Sequence, residues 1–210
     1  MHGEVEKLII APHIDDDILG CGGILDDKSF VLYCGVEDFH IVSREERISE
    51  ANAAAEILGH SYKLLEGNTV NSYEVTDLLD TFSVHINNLK PSKVYIPYPS
   101  YNQDHRIVYE AAVTALRPHD INHFVKEVLV YEQPHVLFWD HTHTLGAQFK
   151  PNYFISIDIE RKLAAYEAMK SQVRSFRRPE YVESLARLRG GQSRCEYAEA
   201  FYTLRIVGGS

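Results

Sequence analysis

Short apolar runs alternate along this chain with longer segments whose apolar residues recur every three or four positions. Residues 6–13, Glu-Lys-Leu-Ile-Ile-Ala-Pro-His, are nearly continuous in apolar character up to a Pro-His pair. That pattern predicts a strand buried on both faces of a parallel sheet. Runs at 29–36 (SFVLYCGV), 62–67 (YKLLEG), 92–99 (SKVYIPYP), 127–133 (EVLVYEQ) and 153–159 (YFISIDI) predict further strands. Between them lie helical patterns. Ile18, Leu19, Ile24 and Leu25 line one directly after the first strand, and Ser43 opens another, with Glu46 completing a capping box and Gly59 stopping it. Val75, Leu78, Leu79, Phe82, Ile86 and Leu89 mark a third, capped by Asn71 or Ser72 and ended by Pro91. A fourth runs over 105–116 and is closed by Pro118. The last quarter is less regular, with helices expected at 160–172 and from Pro179 onward. Strands alternating with helices of this length predict an α/β fold: a doubly wound, mostly parallel sheet with helices on both faces.

The 210 residues suffice to bury roughly 70–75% of the unfolded surface around one core, so a single domain spanning 1–210 is expected. Lys and Arg total 21 against 30 for Asp and Glu, a net charge of −9 with no basic face to offset it. Nucleic acid is therefore excluded as a partner. No stretch approaches the roughly 20 apolar residues of a membrane span, and the amino terminus has no secretory pattern. Cys21, Cys34 and Cys195 are odd in number and widely spaced, which fits a reducing cytoplasm rather than a disulfide framework. The oligomeric state stays open, a homo-oligomer included.

Ligands of open parallel sheets bind at the carboxyl ends of strands. Two loops there carry chemistry. Ala11-Pro12-His13-Ile14-Asp15-Asp16-Asp17 places one imidazole and three carboxylates in five residues, and Tyr101-Asn102-Gln103-Asp104-His105 adds another acid and imidazole. Brought together at one sheet edge, they make a site for a divalent metal. Each loop alone would also serve as a helix cap with acids complementing the dipole. Three adjacent carboxylates, however, repel one another, which a cation relieves and a cap does not. The Gly20-Cys21-Gly22-Gly23 run is not a dinucleotide fingerprint, because Leu25 stands at the third small position and three carboxylates precede the turn. Cys21, between two glycines, is read as packing and not as a ligand.

The segment APHIDDDILGCGGIL resembles the Pro-His-Pro-Asp-Asp-Glu signature of the PIG-L/LmbE-like zinc-dependent N-acetylglucosaminide deacetylases, and NQDHR resembles their second His-Pro-Asp-His signature. Arg47-Ile48-Ser49-Glu50 with the following AAAEILG, and the segments YFISIDIERKLAAYEAMKSQ and LARLRGGQSRCEYAEAF, agree in order over nearly the whole chain. The resemblance implies a Rossmann-like fold and an enzyme that uses zinc-bound water to remove an acetyl group from an N-acetylglucosamine-like sugar or sugar conjugate. It implies His13, Asp16 and His105 as ligands to Zn2+, with Fe2+ or another divalent ion suited to the same set. Asp15 matches the general base, Asp104 an acid that orients or polarises a neighbouring group, and Arg47 an arginine at the substrate pocket. Arg47 paired with Glu50 on a solvated helix face is the plain alternative.

The chain also departs from the pattern. Ile14 and Asp17 replace a Pro and a Glu that are not ligands, and Ser100 stands where relatives carry a tyrosine, with Tyr98 and Tyr101 nearby. Asn102 replaces the leading His of the second signature; an amide can donate a hydrogen bond to an oxyanion but supplies no proton at neutral pH. Asp15 returning its proton, or His135, His141 or His143 after the fifth strand, would then protonate the leaving amine. Alternative readings are an amidase acting on a larger acyl or thiol conjugate, a non-catalytic metal- and sugar-binding relative, and a ferrous oxygenase with a two-histidine, one-carboxylate triad.

Overall fold

Leu8 and Ile10 face one side of the first strand and Ile9 and Ala11 the other, and all four are fully buried. A strand with no polar face has to be covered twice. The computed structural model describes residues 4–36, 42–119, 121–134, 149–175 and 177–208. In it, β1 (Lys7–Ala11) lies inside a seven-stranded sheet with β2 (Ser29–Tyr33), β3 (Ser61–Leu64), β4 (Lys93–Pro97), β5 (Glu127–Tyr131), β6 (Tyr153–Ser156) and β7 (Ala198–Ile206). Strand order is β3-β2-β1-β4-β5-β7-β6. The first five strands are mutually parallel, whereas β7 pairs antiparallel with both β5 and β6.

The helices divide between the two faces. Leu8, Ile10, Leu32, Val94, Ile96 and Val130 pack with Phe82 and Ile86 of α3 (Val75–Leu89) and Val108 and Ala112 of α4 (Gln103–Ala115). On the opposite face, Ile9, Val31, Tyr33, Tyr95, Leu129 and Tyr131 pack with Ile18 of α1 (Asp16–Cys21) and Ala54 and Leu58 of α2 (Arg44–Leu58). Tyr166 of α5 (Ile159–Ala168) and Val182 of α6 (Pro179–Ser193) complete that layer. The fold is thus the doubly wound, mostly parallel sheet that the hydrophobic pattern predicts, and it is Rossmann-like, as the resemblance implies. No helix among the described residues is long and apolar enough to cross a membrane.

Local chemistry sets several boundaries as expected. Ser43 caps α2 by accepting from the Glu46 amide at 3.1 Å, and Gly59 ends it with φ 76°. Others differ. The first helix stops at Cys21 instead of reaching Leu25, because the Gly23 amide turns out of it to donate to Glu199 at 2.7 Å. Asn71 does not cap α3, whose N-cap is Glu74; it takes φ 69° and donates its backbone N–H to Asp104 Oδ2 at 2.8 Å. The strand β7 has no counterpart among the expected elements. It inserts between β5 and β6 and makes that end of the sheet antiparallel.

The glycine run after β1 serves close packing. A Cβ on Gly20 would fall 2.2 Å from Cδ2 of Tyr131, a fully buried ring, whereas one on Gly191 in α6 would meet nothing within 4 Å. Gly20→Ala is expected to destabilise the protein by about 1–3 kcal/mol through overpacking, and Gly191→Ala to be neutral or stabilising by up to about 1 kcal/mol. Chemical denaturation of the two variants checks this, and equal stabilities would refute it.

Candidate metal centre

Strand order reverses between β1 and β4, which are neighbours in the sheet although the chain leaves them in opposite directions. A crevice opens at the carboxyl ends of strands at such a switch point. The loop after β1 brings His13, Asp15 and Asp16 to it, the loop after β4 brings Asp104 and His105, and the residues after β5 bring Gln133.

Donor atoms of His13, Asp16 and His105 lie within 4.8 Å of one another, and all three residues are buried. Asp16 Oδ2 stands at the centre, 3.3 Å from His13 Nδ1 and 3.3 Å from His105 Nε2. The backbone N–H of His13 donates to the same oxygen at 2.9 Å, and Gln133 Nε2 donates to Asp16 Oδ1. The far nitrogen of His13, Nε2, is 2.9 Å from Asp104 Oδ2. A carboxylate accepts, so Nε2 carries the proton and Nδ1 is left facing Asp16 and His105. An acid that fixes the tautomer of a liganding imidazole is the usual outer support of a metal site. Two imidazoles and one carboxylate converging in a buried space fit a divalent cation such as zinc or ferrous iron.

The charges at the site respond to this crowding. Burial opposes a charge on His13, but hydrogen bonds to Asp104 and Asp16 outweigh it and push its pKa up to about 10. Burial also works against ionised Asp16, yet contact with His105 and His13 holds its carboxyl well below the usual range. Asp15 is raised, chiefly by burial and also by Asp16, while Arg177, Arg47 and His13 oppose the shift. Asp17 is pushed up to about 7 by burial.

The cap explanation divides between the two loops. Asp15 is the N-cap residue of α1 but makes no capping hydrogen bond; its Oδ2 accepts from Arg177 Nη1 at 2.8 Å, and its backbone sits at φ 134°. Asp17 accepts from Tyr33 Oη at 2.9 Å, with His60 Nε2 3.7 Å from the same oxygen. Asn102, by contrast, does cap α4, its Oδ1 accepting from the Asp104 amide at 2.9 Å. Arg47 is 1% exposed and bonds Ile14 O, Glu50 at 3.4 Å and Ser171 at 3.2 Å. Its guanidinium grips the first loop from behind, and the Glu50 pairing lies in the protein rather than in solvent. Ser100 is fully buried, and Tyr101 is 37% exposed at the start of the second loop. His135, His141 and His143 lie outside the described residues.

Two site residues escaped sequence reasoning. Gln133 follows a strand end, where the sheet-edge rule applies, but an amide lacked the chemistry that draws notice. Arg177 lies between two helices in an arginine-rich segment that reads as solvated surface.

No family model and no curated protein matches the sequence. Solved structures do match. The conserved protein TT1542 from Thermus thermophilus is 23% identical, with a TM-score of 0.78 over 98% of this chain and 97% of that one. GalB, the 4-carboxy-2-hydroxymuconate hydratase from Pseudomonas putida, is 19% identical, with a TM-score of 0.76 over 98% and 100%. The N,N'-diacetylchitobiose deacetylase from Pyrococcus horikoshii is 20% identical, with a TM-score of 0.72 over 95% and 84%. The chain shares their fold. The likeness covers the whole architecture and takes in both a hydratase and a deacetylase. A hydratase and a deacetylase on one fold leave the reaction to be read from the site.

A cation reaching His13 Nδ1 must displace the proton that faces Asp16 there. With that pKa near 10, each bound zinc ion should expel about one proton from His13 between roughly pH 7 and 9, and apparent affinity should rise about tenfold per pH unit, levelling off above pH 10. Calorimetry in buffers of different ionisation enthalpy measures the proton release; an affinity independent of pH would refute it. Gln133→Leu removes the donor to Asp16 Oδ1 and is expected to weaken zinc binding about 10–100-fold, read by competition with a chromogenic chelator.

Proposed function

We propose that the chain is a metal-dependent amide hydrolase that removes an acetyl group from an N-acetylated sugar or sugar conjugate, giving acetate and a free amine. The observation that carries this reading is the buried convergence of His13, Asp16 and His105 with the carboxylate of Asp15 in the adjoining position of the same loop. A divalent ion held by those three residues, zinc being the expected one, supplies Lewis acidity toward a water molecule and the acetyl carbonyl.

The protein's own groups perform the rest. Asp15 accepts a proton from the water as its oxygen bonds to the amide carbon, and passes that proton to the nitrogen as the carbon–nitrogen bond breaks. Burial raises the affinity of Asp15 for a proton and so suits it to this exchange. Asp104 holds His13 in one tautomer through Nε2. Asn102 has Oδ1 committed to the helix cap, so its Nδ2 is the atom that can donate to an oxyanion. Arg47 contributes to substrate binding through the loop it holds at Ile14 O.

His13→Ala is expected to lose both zinc and acetate release. Asp15→Asn is expected to keep zinc stoichiometry while kcat falls by about 10²–10⁴. Acetate assays on N-acetylglucosamine, chitobiose and glycopeptide-type amides, paired with elemental analysis, test both; full activity in both variants would reject the mechanism. The fold shared with a hydratase supports one other reading, addition of water across an activated carbon–carbon double bond. Loss of the ultraviolet absorbance of an unsaturated dicarboxylate, without acetate release from any amide, would establish that reading instead.

A further inference from the structure

Asp15 occupies a backbone conformation that residues other than glycine rarely adopt, with φ 134° and ψ −25°. Such a conformation is strained and persists only where the surroundings enforce it. The local helix does not supply that enforcement, because the Asp15 side chain makes no cap. The restraint comes from elsewhere in the chain. Ile14 O, one peptide before Asp15, accepts from Arg47 Nη2, and Asp15 Oδ2 accepts from Arg177 Nη1 at 2.8 Å. With the Gln172 amide in the orientation that satisfies both its atoms, Nε2 donates to the same Asp15 oxygen at 3.1 Å and Oε1 accepts from Arg47 Nη1 at 2.8 Å.

Arg177 and Gln172 both lie on the segment joining α5 to α6, and that segment is itself tied down. Tyr166 Oη donates to the carbonyls of Gln172 at 3.2 Å and Arg177 at 2.7 Å, and Glu50 accepts from the Ser171 amide at 2.6 Å. The Arg177 side chain is only 22% exposed, which is deep for a guanidinium with so much hydration to lose. A surface ion pair would not warrant that burial.

We propose that Arg177 is a positioning residue for Asp15, holding the carboxylate and its strained peptide in the arrangement required for proton transfer, with Gln172 seating the pair against Arg47. The inference rests on the hydrolase reading for its kinetic consequence alone; the geometric consequence belongs to the protein whatever it hydrolyses. Arg177→Gln is expected to lower kcat about 100-fold, the cost of a misplacement on the order of 1 Å, with KM changed less than about threefold and zinc stoichiometry unchanged. Arg177→Lys keeps a cation and should recover at least a tenth of wild-type kcat, and added guanidinium should partly rescue Arg177→Ala. Arg174→Gln removes an exposed positive charge whose Nε donates to Ser171 O at 3.2 Å in the same segment, and should leave kcat unchanged.

Crystal structures of the metal-free wild type and Arg177→Gln supply a readout independent of turnover. The variant should show the Asp15 carboxylate displaced and its backbone relaxed out of positive φ. An Asp15 that stays in place, a kcat within twofold of wild type, or an equal loss in Arg174→Gln would overturn the proposal. Wild-type protein that releases no acetate while the variant still shows a displaced Asp15 would overturn the hydrolase reading and leave the positioning role standing.

Discussion

Three consecutive carboxylates are buried just beyond the end of β1, Asp15 at 3%, Asp16 at 1% and Asp17 at 0% exposure. Taking an ionised carboxylate out of water costs several kcal/mol even after relaxation, and three in a row also repel one another. The protein gives each a different compensation. Asp15 meets a guanidinium, Asp16 meets two imidazoles, a backbone amide and a side-chain amide, and Asp17 meets a phenol and, with burial dominating, is raised towards neutrality. Three chemically identical side chains thereby acquire three distinct proton affinities within one loop.

The compensating groups come from widely separated parts of the chain. His105 lies in the first turn of α4, Gln133 follows β5, Tyr33 ends β2, and Arg177 lies between α5 and α6. The charge arrangement therefore exists only when the sheet is assembled in its order. A similar device secures the other end of α1. Lys162 Nζ bonds Leu19 O at 2.8 Å and Glu199 at 2.6 Å, and Glu199 takes the Gly23 amide. Glu199 belongs to β7, so the antiparallel strand fixes the point at which the first helix ends.

Much of this was legible beforehand. Ser43, Glu46 and Gly59 bound α2 because a cap is a local matter of side chain against nearby amide. The apolar periodicities located the strands up to β6 and all the longer helices. The buried role of Arg47 and Glu50 also had a trace in the sequence, since both fall in helical phase with Ala51, Ala54 and Leu58 on the covered stripe. Asn71 misled for a physical reason: a residue suited to capping is equally suited to a left-handed turn, and a distant acceptor, Asp104, decided between them. β7 was missed because its Ala-Glu-Ala-Phe start is buried at every position, a glutamate included, and an acidic residue reads as exposed until its lysine is known.

The sequence by itself determined the layering of the fold, since period-two and period-3.6 patterns record which faces must leave water. It also singled out His13, Asp16 and His105, which the fold brings together, because strand ends are readable and an imidazole beside three carboxylates at one of them is uncommon. What each acid does was decided by the tertiary structure. Proton affinity depends on burial and on charges a few ångströms away, and those charges stand as far as 162 residues along the chain, as Arg177 does from Asp15. No local pattern encodes such a distance; only the assembled sheet, with its switch point between β1 and β4, sets it.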